Sequence, residues 1–262
     1  MLNFEGVGIP ICEIKPNIGS SSKKRTPLIS MSPFEESDSV RQGFNQYDLL
    51  DARGKDFHFE VSINDTTERQ ICYITGSSGS GKSYWTRRYV EAYKKVYPTR
   101  QIYLFSSINE DASIDSIKDL HRIKITPELL NDELTAKDFE DSMVIFDDVD
   151  TLQNKALRKA VMNIQSDILQ CGRHYNVSAI ITSHVATNGN DTRLILNECH
   201  NLTFFPHGMN GRSLKYLLET YLGMDKTEIK RIKSLQGRAV SFIKTFPKVV
   251  VSDKEVFILK NA

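Results

Sequence analysis

Cysteine is scarce in this 262-residue chain: there are four, Cys12, Cys72, Cys171 and Cys199, and no two stand in CxxC spacing. That excludes a zinc ribbon and a disulfide framework, and it points to a reducing compartment. Cys72 falls in an apolar stretch, where a small buried residue fits. Long apolar runs are missing too, and none reaches the ~20 residues that span a bilayer. The first residues lack the basic-then-apolar order of a secretory leader, so no leader is expected. Neither charge dominates: 34 Lys and Arg against 33 Asp and Glu leave a net charge of +1. A global basic field that wraps nucleic acid is thereby excluded, whereas a local basic patch or a ring-shaped pore is not. No internal repeat is present. His58, His121, His200 and His207 stand without metal-ligand company. What remains is an ordinary globular composition, long enough for one large α/β domain or one domain with small additions.

Glycine numbers only 14, yet three fall in the octapeptide Gly76-Ser77-Ser78-Gly79-Ser80-Gly81-Lys82-Ser83. This spells the phosphate-loop pattern G-x-x-x-x-G-K-[ST]. The apolar stretch Gln70 to Ile74 before it reads as a strand, and Tyr84 to Lys95 after it reads as a helix, which is the context the pattern needs. The glycines let backbone N–H groups turn inward around phosphate oxygens, and the helix dipole adds to the field. Lys82 offers a cation to the β- and γ-phosphates, and Ser83 offers a hydroxyl to Mg²⁺. Tyr84 follows directly and is counted with the nucleotide-binding residues. Trp85 could stack on a base but is expected to pack against the sheet. Arg87, Arg88, Lys94 and Lys95 give the helix a basic face, which reads as solvated or as a contact for DNA or a subunit.

Further strands are expected at 57–63, 101–105, 123–125, 142–146, 177–182 and 201–205, and a long helix over 152–170. Near-continuous apolar strands alternating with helices predict an α/β fold, a mainly parallel central sheet covered on both faces. Residues 214–222 and 226–235 read as helices, and 238–245 and 249–259 as an antiparallel β addition. Three parts are expected: an extended or partly disordered arm over 1–45, the phosphate-loop core over 46–209, and C-terminal helices with a β-hairpin over 210–262. Lys23-Lys24-Arg25 in the arm reads as solvated, with a nuclear address or a phosphate-backbone contact as the sharper alternative.

Hydrolysis needs a second metal contact and a group that positions water. The apolar run Met143-Val144-Ile145-Phe146 ends in Asp147-Asp148, where open α/β sheets place their ligands. Asp147 would hold Mg²⁺ and Asp148 would activate water, while Asp150 is expected to cap the next helix. The stretch between loop and carboxylates leaves room for an extra strand, as in ATP-hydrolysing motors. No Asn/Thr-Lys-x-Asp sequence reads guanine, so the base is adenine or is read loosely.

The stretch from Cys171 to His184, Cys-Gly-Arg-His-Tyr-Asn-Val-Ser-Ala-Ile-Ile-Thr-Ser-His, resembles the FtsK–HerA superfamily of DNA-pumping P-loop ATPases. Within it, the short length, the Gly172-to-Ser178 run and the segment from Arg238 to Pro247 are most similar to the poxvirus-type genome-packaging ATPases of large double-stranded DNA viruses and virophages. The resemblance covers about 57–259. It implies a RecA-like fold of the additional-strand type, with ATP and Mg²⁺ as cofactors. It puts Arg173 at the family's arginine position, reaching the γ-phosphate held by a neighbouring subunit, and His184 where cellular members usually carry Gln. Asp148 stands where many members have Glu, one methylene longer. The implied activity is ATP-driven translocation of double-stranded DNA into a preformed capsid by a homo-oligomeric ring, a pentamer or hexamer. Capsid or internal-membrane proteins at the packaging vertex are the implied partners, and the host cytoplasm, at a viral factory, the implied location. Another translocase or helicase-like ATPase, or a weakly hydrolysing module that docks on the capsid, are the alternatives.

Overall fold

The computed structural model describes residues 1–17, 27–32, 47–63 and 68–259. Lys23-Lys24-Arg25 lies outside them. The chain forms two compact units, one of residues 1–65 with 203–262, the other of 66–202.

In the first unit, β1 (Leu2–Asn3), β2 (Ile9–Pro16), β3 (Leu28–Met31), β4 (Leu49–Asp51) and β5 (Phe57–Val61) come first in sequence. Four of them build an antiparallel sheet in the order β1-β3-β2-β5. The stretch expected as an arm therefore supplies three strands. Its Ile11, Cys12, Ile29 and Met31 are buried, and a row of apolar side chains holds a sheet where turn-rich sequence suggested none.

The second unit holds β6 (Ile71–Thr75), β7 (Gln101–Ser106), β8 (Leu120–Ile123), β9 (Ser142–Asp147) and β10 (Ser178–Ser183). They pair in parallel in the order β6-β10-β9-β7-β8. Every residue of β6, β9 and β10 is buried, as strands covered on both faces require. Helix α1 (Lys82–Val96) buries Lys82, Thr86, Tyr89, Val90 and Tyr93, a single stripe at helical spacing. Its Trp85 is half-buried and stacks on Tyr89 with ring centroids 5.3 Å apart. Helix α2 (Lys155–Cys171) starts later than the periodicity suggested, because Asn154 caps it by accepting from the N–H groups of Ala156 and Leu157. Asp150, expected as that cap, accepts instead from Ser183 Oγ at 3.0 Å. Helix α3 is Asn190–Glu198.

Strand β11 (Asn201–Phe204) carries the chain back into the first unit. There α4 (Gly211–Tyr216) and α5 (Lys226–Ser234) precede β12 (Val240–Ile243), β13 (Val249–Ser252) and β14 (Glu255–Ile258). These last three run antiparallel in sequence order, and β4 adds to β14. The expected hairpin is thus three strands, with the turn at Ser252-Asp253 separating two of them. No helix among the described residues is long and apolar enough to cross a membrane.

Candidate nucleotide site

Beyond β6 the chain turns sharply at Gly79 (φ +73°) and Gly81 (φ +114°). Both lie in the left-handed region that favours glycine, and at Gly79 a β-carbon would meet nothing within 4 Å. Backbone conformation, not space, is what selects glycine there. Gly81 brings no side chain to cap α1, and the first turn of α1 carries no acid. The start of α1 is therefore left to its own backbone N–H groups and dipole, which suit an anion. Tyr84, on that first turn, is 61% exposed, so its ring is open to a ligand.

Lys82 is buried, and its ammonium has three partners. It donates to Gly76 O at 3.0 Å and to His184 Nδ1 at 3.2 Å, and lies 3.5 Å from Asp148 Oδ2. The other nitrogen of the same imidazole, Nε2, stands 2.9 Å from Asp148 Oδ2. The neutral tautomer protonated on Nε2 satisfies both contacts. His184 thus links the loop lysine to the second carboxylate of β9.

Asp147 ends β9 between two hydroxyl-bearing neighbours. Ser106, its register partner on β7, donates to Oδ2 at 2.9 Å, and Thr182 on β10 donates to Oδ1 at 2.9 Å. Burial, then the charge of Asp148, holds the Asp147 carboxyl above its ordinary value, and the two hydroxyls oppose this only in part. Asp148 follows in a left-handed turn (φ +47°) that a short polar residue tolerates. Its N–H donates to Thr182 Oγ1 at 2.9 Å, and its Oδ1 lies 3.1 Å from the same hydroxyl. Ser83 Oγ donates to Asp111 Oδ2 at 2.8 Å. The donor set of Ser83 and Asp147 fits Mg²⁺: hard oxygens, with a buried carboxylate whose ionised form needs a nearby cation.

Lys82, Ser83, Asp147, Asp148 and His184 therefore converge at the C-terminal ends of the parallel strands. Arg173 does not. It lies in the short turn Gly172–Tyr175 before β10, at the opposite end of that strand from His184, and β10 itself spans roughly 20 Å. Its guanidinium is exposed and pairs with Glu68 Oε1 at 2.9 Å. The neighbouring Gly172 has a packing reason: a β-carbon there would come within 2.7 Å of Arg69, whose buried guanidinium donates to the carbonyls of Ile168 and Leu169 at the end of α2. Ser106, Thr182 and Asp111 were not read from sequence as site residues. Ser106 and Thr182 carried a signal, being polar residues that close apolar strands; Asp111, in an irregular connection, carried none.

No family model matches the chain. It is 39% identical over 182 residues to "Uncharacterized protein V3" of Sputnik virophage, an alignment covering 68% of this chain and 73% of that protein. The cytoplasmic domain of the type VII secretion ATPase EccC of Thermomonospora curvata superposes with a TM-score of 0.51 at 13% identity, over 86% of this chain and 31% of that one. B204, the DNA-packaging ATPase of Sulfolobus turreted icosahedral virus, superposes at a TM-score of 0.46 and 15% identity, over 71% of this chain and 98% of that one.

Proposed function

Since the chain belongs to the family of the Sputnik virophage protein V3 and is a P-loop ATPase of the FtsK–HerA type, we propose that it hydrolyses ATP to drive double-stranded DNA into a preformed capsid. One observation carries the hydrolytic half: three segments far apart in sequence place Lys82, Asp148 and His184 in mutual contact beside the phosphate loop.

In this reading the amides of Gly76 to Ser83 cradle the phosphates, and Lys82 turns its ammonium to the β- and γ-oxygens. Tyr84 lies against the bound nucleotide. Ser83 and Asp147 would hold Mg²⁺, which when bound neutralises phosphate charge. Asp148 takes a proton from water as that oxygen bonds to the γ-phosphorus. The bond from phosphorus to the bridging oxygen breaks, and ADP departs with the electron pair. His184 keeps Asp148 oriented through Nε2–H and can turn the same proton to a phosphate oxygen. Arg173 precedes β10, at the end of that strand opposite to the phosphate loop, and this placement supports its action on a neighbour's γ-phosphate. An arginine supplied across an interface raises turnover by about 10³ to 10⁵. In the same reading the subunits form a homo-oligomeric ring, a pentamer or hexamer, with duplex DNA gripped electrostatically in its centre.

The DNA half rests on the likeness of Cys171 to His184 to packaging ATPases and on the virophage relative. Capsid or internal-membrane proteins at the packaging vertex, in the host cytoplasm, complete the proposal. ATP turnover measured with and without duplex DNA tests it. Turnover that rises with DNA is expected. Bound nucleotide without turnover under either condition would reduce the protein to a docking module.

A further inference from the structure

The side chain of Asp111 reaches Ser83, the loop residue that would ligate the metal. We propose that Asp111 is a positioning residue for the Ser83 hydroxyl, a role that rests on the nucleotide reading of the site.

A serine hydroxyl has one hydrogen and two lone pairs. If the hydrogen points toward the cation, the oxygen cannot ligate it. Ser83 gives its hydrogen to Asp111 Oδ2 at 2.8 Å, so its lone pairs face away from that carboxylate. A hydroxyl that donates to an anion is also a better ligand for a hard cation.

Asp111 is also held by its own turn. Its Oδ1 accepts from the N–H groups of Ser113 at 2.8 Å and Ile114 at 3.0 Å, and Ile114 is fully buried. Its own N–H donates to Asp115 Oδ2 at 2.8 Å. Asp115 in turn accepts from Arg122 of β8 at 2.5 Å, and Arg122 also donates to Ile108 O at 2.8 Å. One oxygen is thus occupied by its own turn and the other is aimed at Ser83. A purely structural Asp would need only the first.

The substitution Asp111→Asn separates positioning from turn-making. The carboxamide oxygen can keep both backbone bonds. The amide nitrogen would then face Ser83 and donate to it, reversing the hydrogen bond and consuming a lone pair. The measurement is binding of a fluorescent ATP analogue as Mg²⁺ is titrated, with a parallel series in EDTA. Asp111→Asn is expected to raise the Mg²⁺ needed for half-maximal binding about 10- to 100-fold, with EDTA binding unchanged. In a Ser83→Ala background the same substitution should add little, because Asp111 acts through that hydroxyl. Asp111→Glu, which keeps the carboxylate, should recover part of the loss and serves if Asp111→Asn melts early. Unchanged Mg²⁺ dependence in Asp111→Asn, or full additivity with Ser83→Ala, overturns the role while the nucleotide reading stands. Wild-type binding that ignores Mg²⁺ overturns the role alone, and a wild type that binds no analogue with or without Mg²⁺ overturns the nucleotide reading as well.

Discussion

His184 Nε2 lies 2.9 Å from Asp148 Oδ2, and the opposite nitrogen of the same ring lies 3.2 Å from Lys82 Nζ. A side chain that accepts at one end and donates at the other can be replaced by an amide of similar reach. His184→Gln should therefore keep most ATP turnover, since its oxygen can accept from Lys82 while its nitrogen donates to Asp148. His184→Leu can do neither and should lose roughly 10- to 100-fold in kcat, the worth of a hydrogen bond to a charged group. Steady-state kinetics on the two variants check this; equal loss in both would mean that imidazole chemistry, not this bridge, matters.

Asp148 is assigned the water-activating role. Asp148→Asn preserves shape and the contact with Thr182 but removes the base. Turnover should fall about 10²- to 10⁴-fold, with nucleotide affinity within a few-fold of wild type. Rapid-quench measurement of a single turnover isolates the chemical step. An active Asp148→Asn protein would remove Asp148 from the mechanism.

Asp147 couples function to stability. A carboxyl whose folded value is raised binds its proton more tightly in the folded protein. Its ionisation costs no stability at acid pH, a growing amount as pH rises from about 4 through the raised value, and the full amount above it. Without nucleotide, Asp147→Asn should melt higher than wild type at neutral pH, and the gap should close toward pH ~4. The hydroxyls of Ser106 and Thr182 can rotate to pair with the amide, so packing is kept. The same variant should lose the gain in melting temperature that Mg²⁺ and ATP confer on wild type. Thermal melting across pH reads both effects.

How much of this could be read without coordinates differs from residue to residue. Gly76 to Ser83 and Asp147-Asp148 are local signals: glycine spacing, and acids closing an apolar strand, dictate both conformation and position. The parallel direction of the strands in the second unit follows from their alternation with helices, whereas their order across the sheet does not. The strands of residues 1–31 were missed because β2 finds a partner in β5, across a long stretch of intervening sequence. Asp111 was missed for the same physical reason: its partner is 28 residues away, and no periodicity marks an irregular connection. Arg173 follows a helix and precedes an apolar strand, as the pattern indicates, but its ion pair with Glu68 joins segments ahead of two strands and leaves no trace in spacing.

Arg173 tests whether the site is shared. Arg173→Ala and Lys82→Ala subunits should each be inactive alone, with turnover reduced about 10³-fold or more. Mixed, they should regain measurable activity, because some interfaces pair an intact loop with an intact arginine. No recovery at any ratio, in oligomers shown to be mixed, would confine Arg173 to its in-chain partner Glu68.

If ATP hydrolysis at this site moves duplex DNA, displacement of a third strand from a DNA triplex reads that movement directly. Wild-type protein with Mg²⁺ and ATP should strip the third strand, while Lys82→Ala, or wild type with a non-hydrolysable analogue, should leave it bound. Vigorous ATP hydrolysis on that DNA with the third strand still in place would mean that hydrolysis does not move duplex DNA.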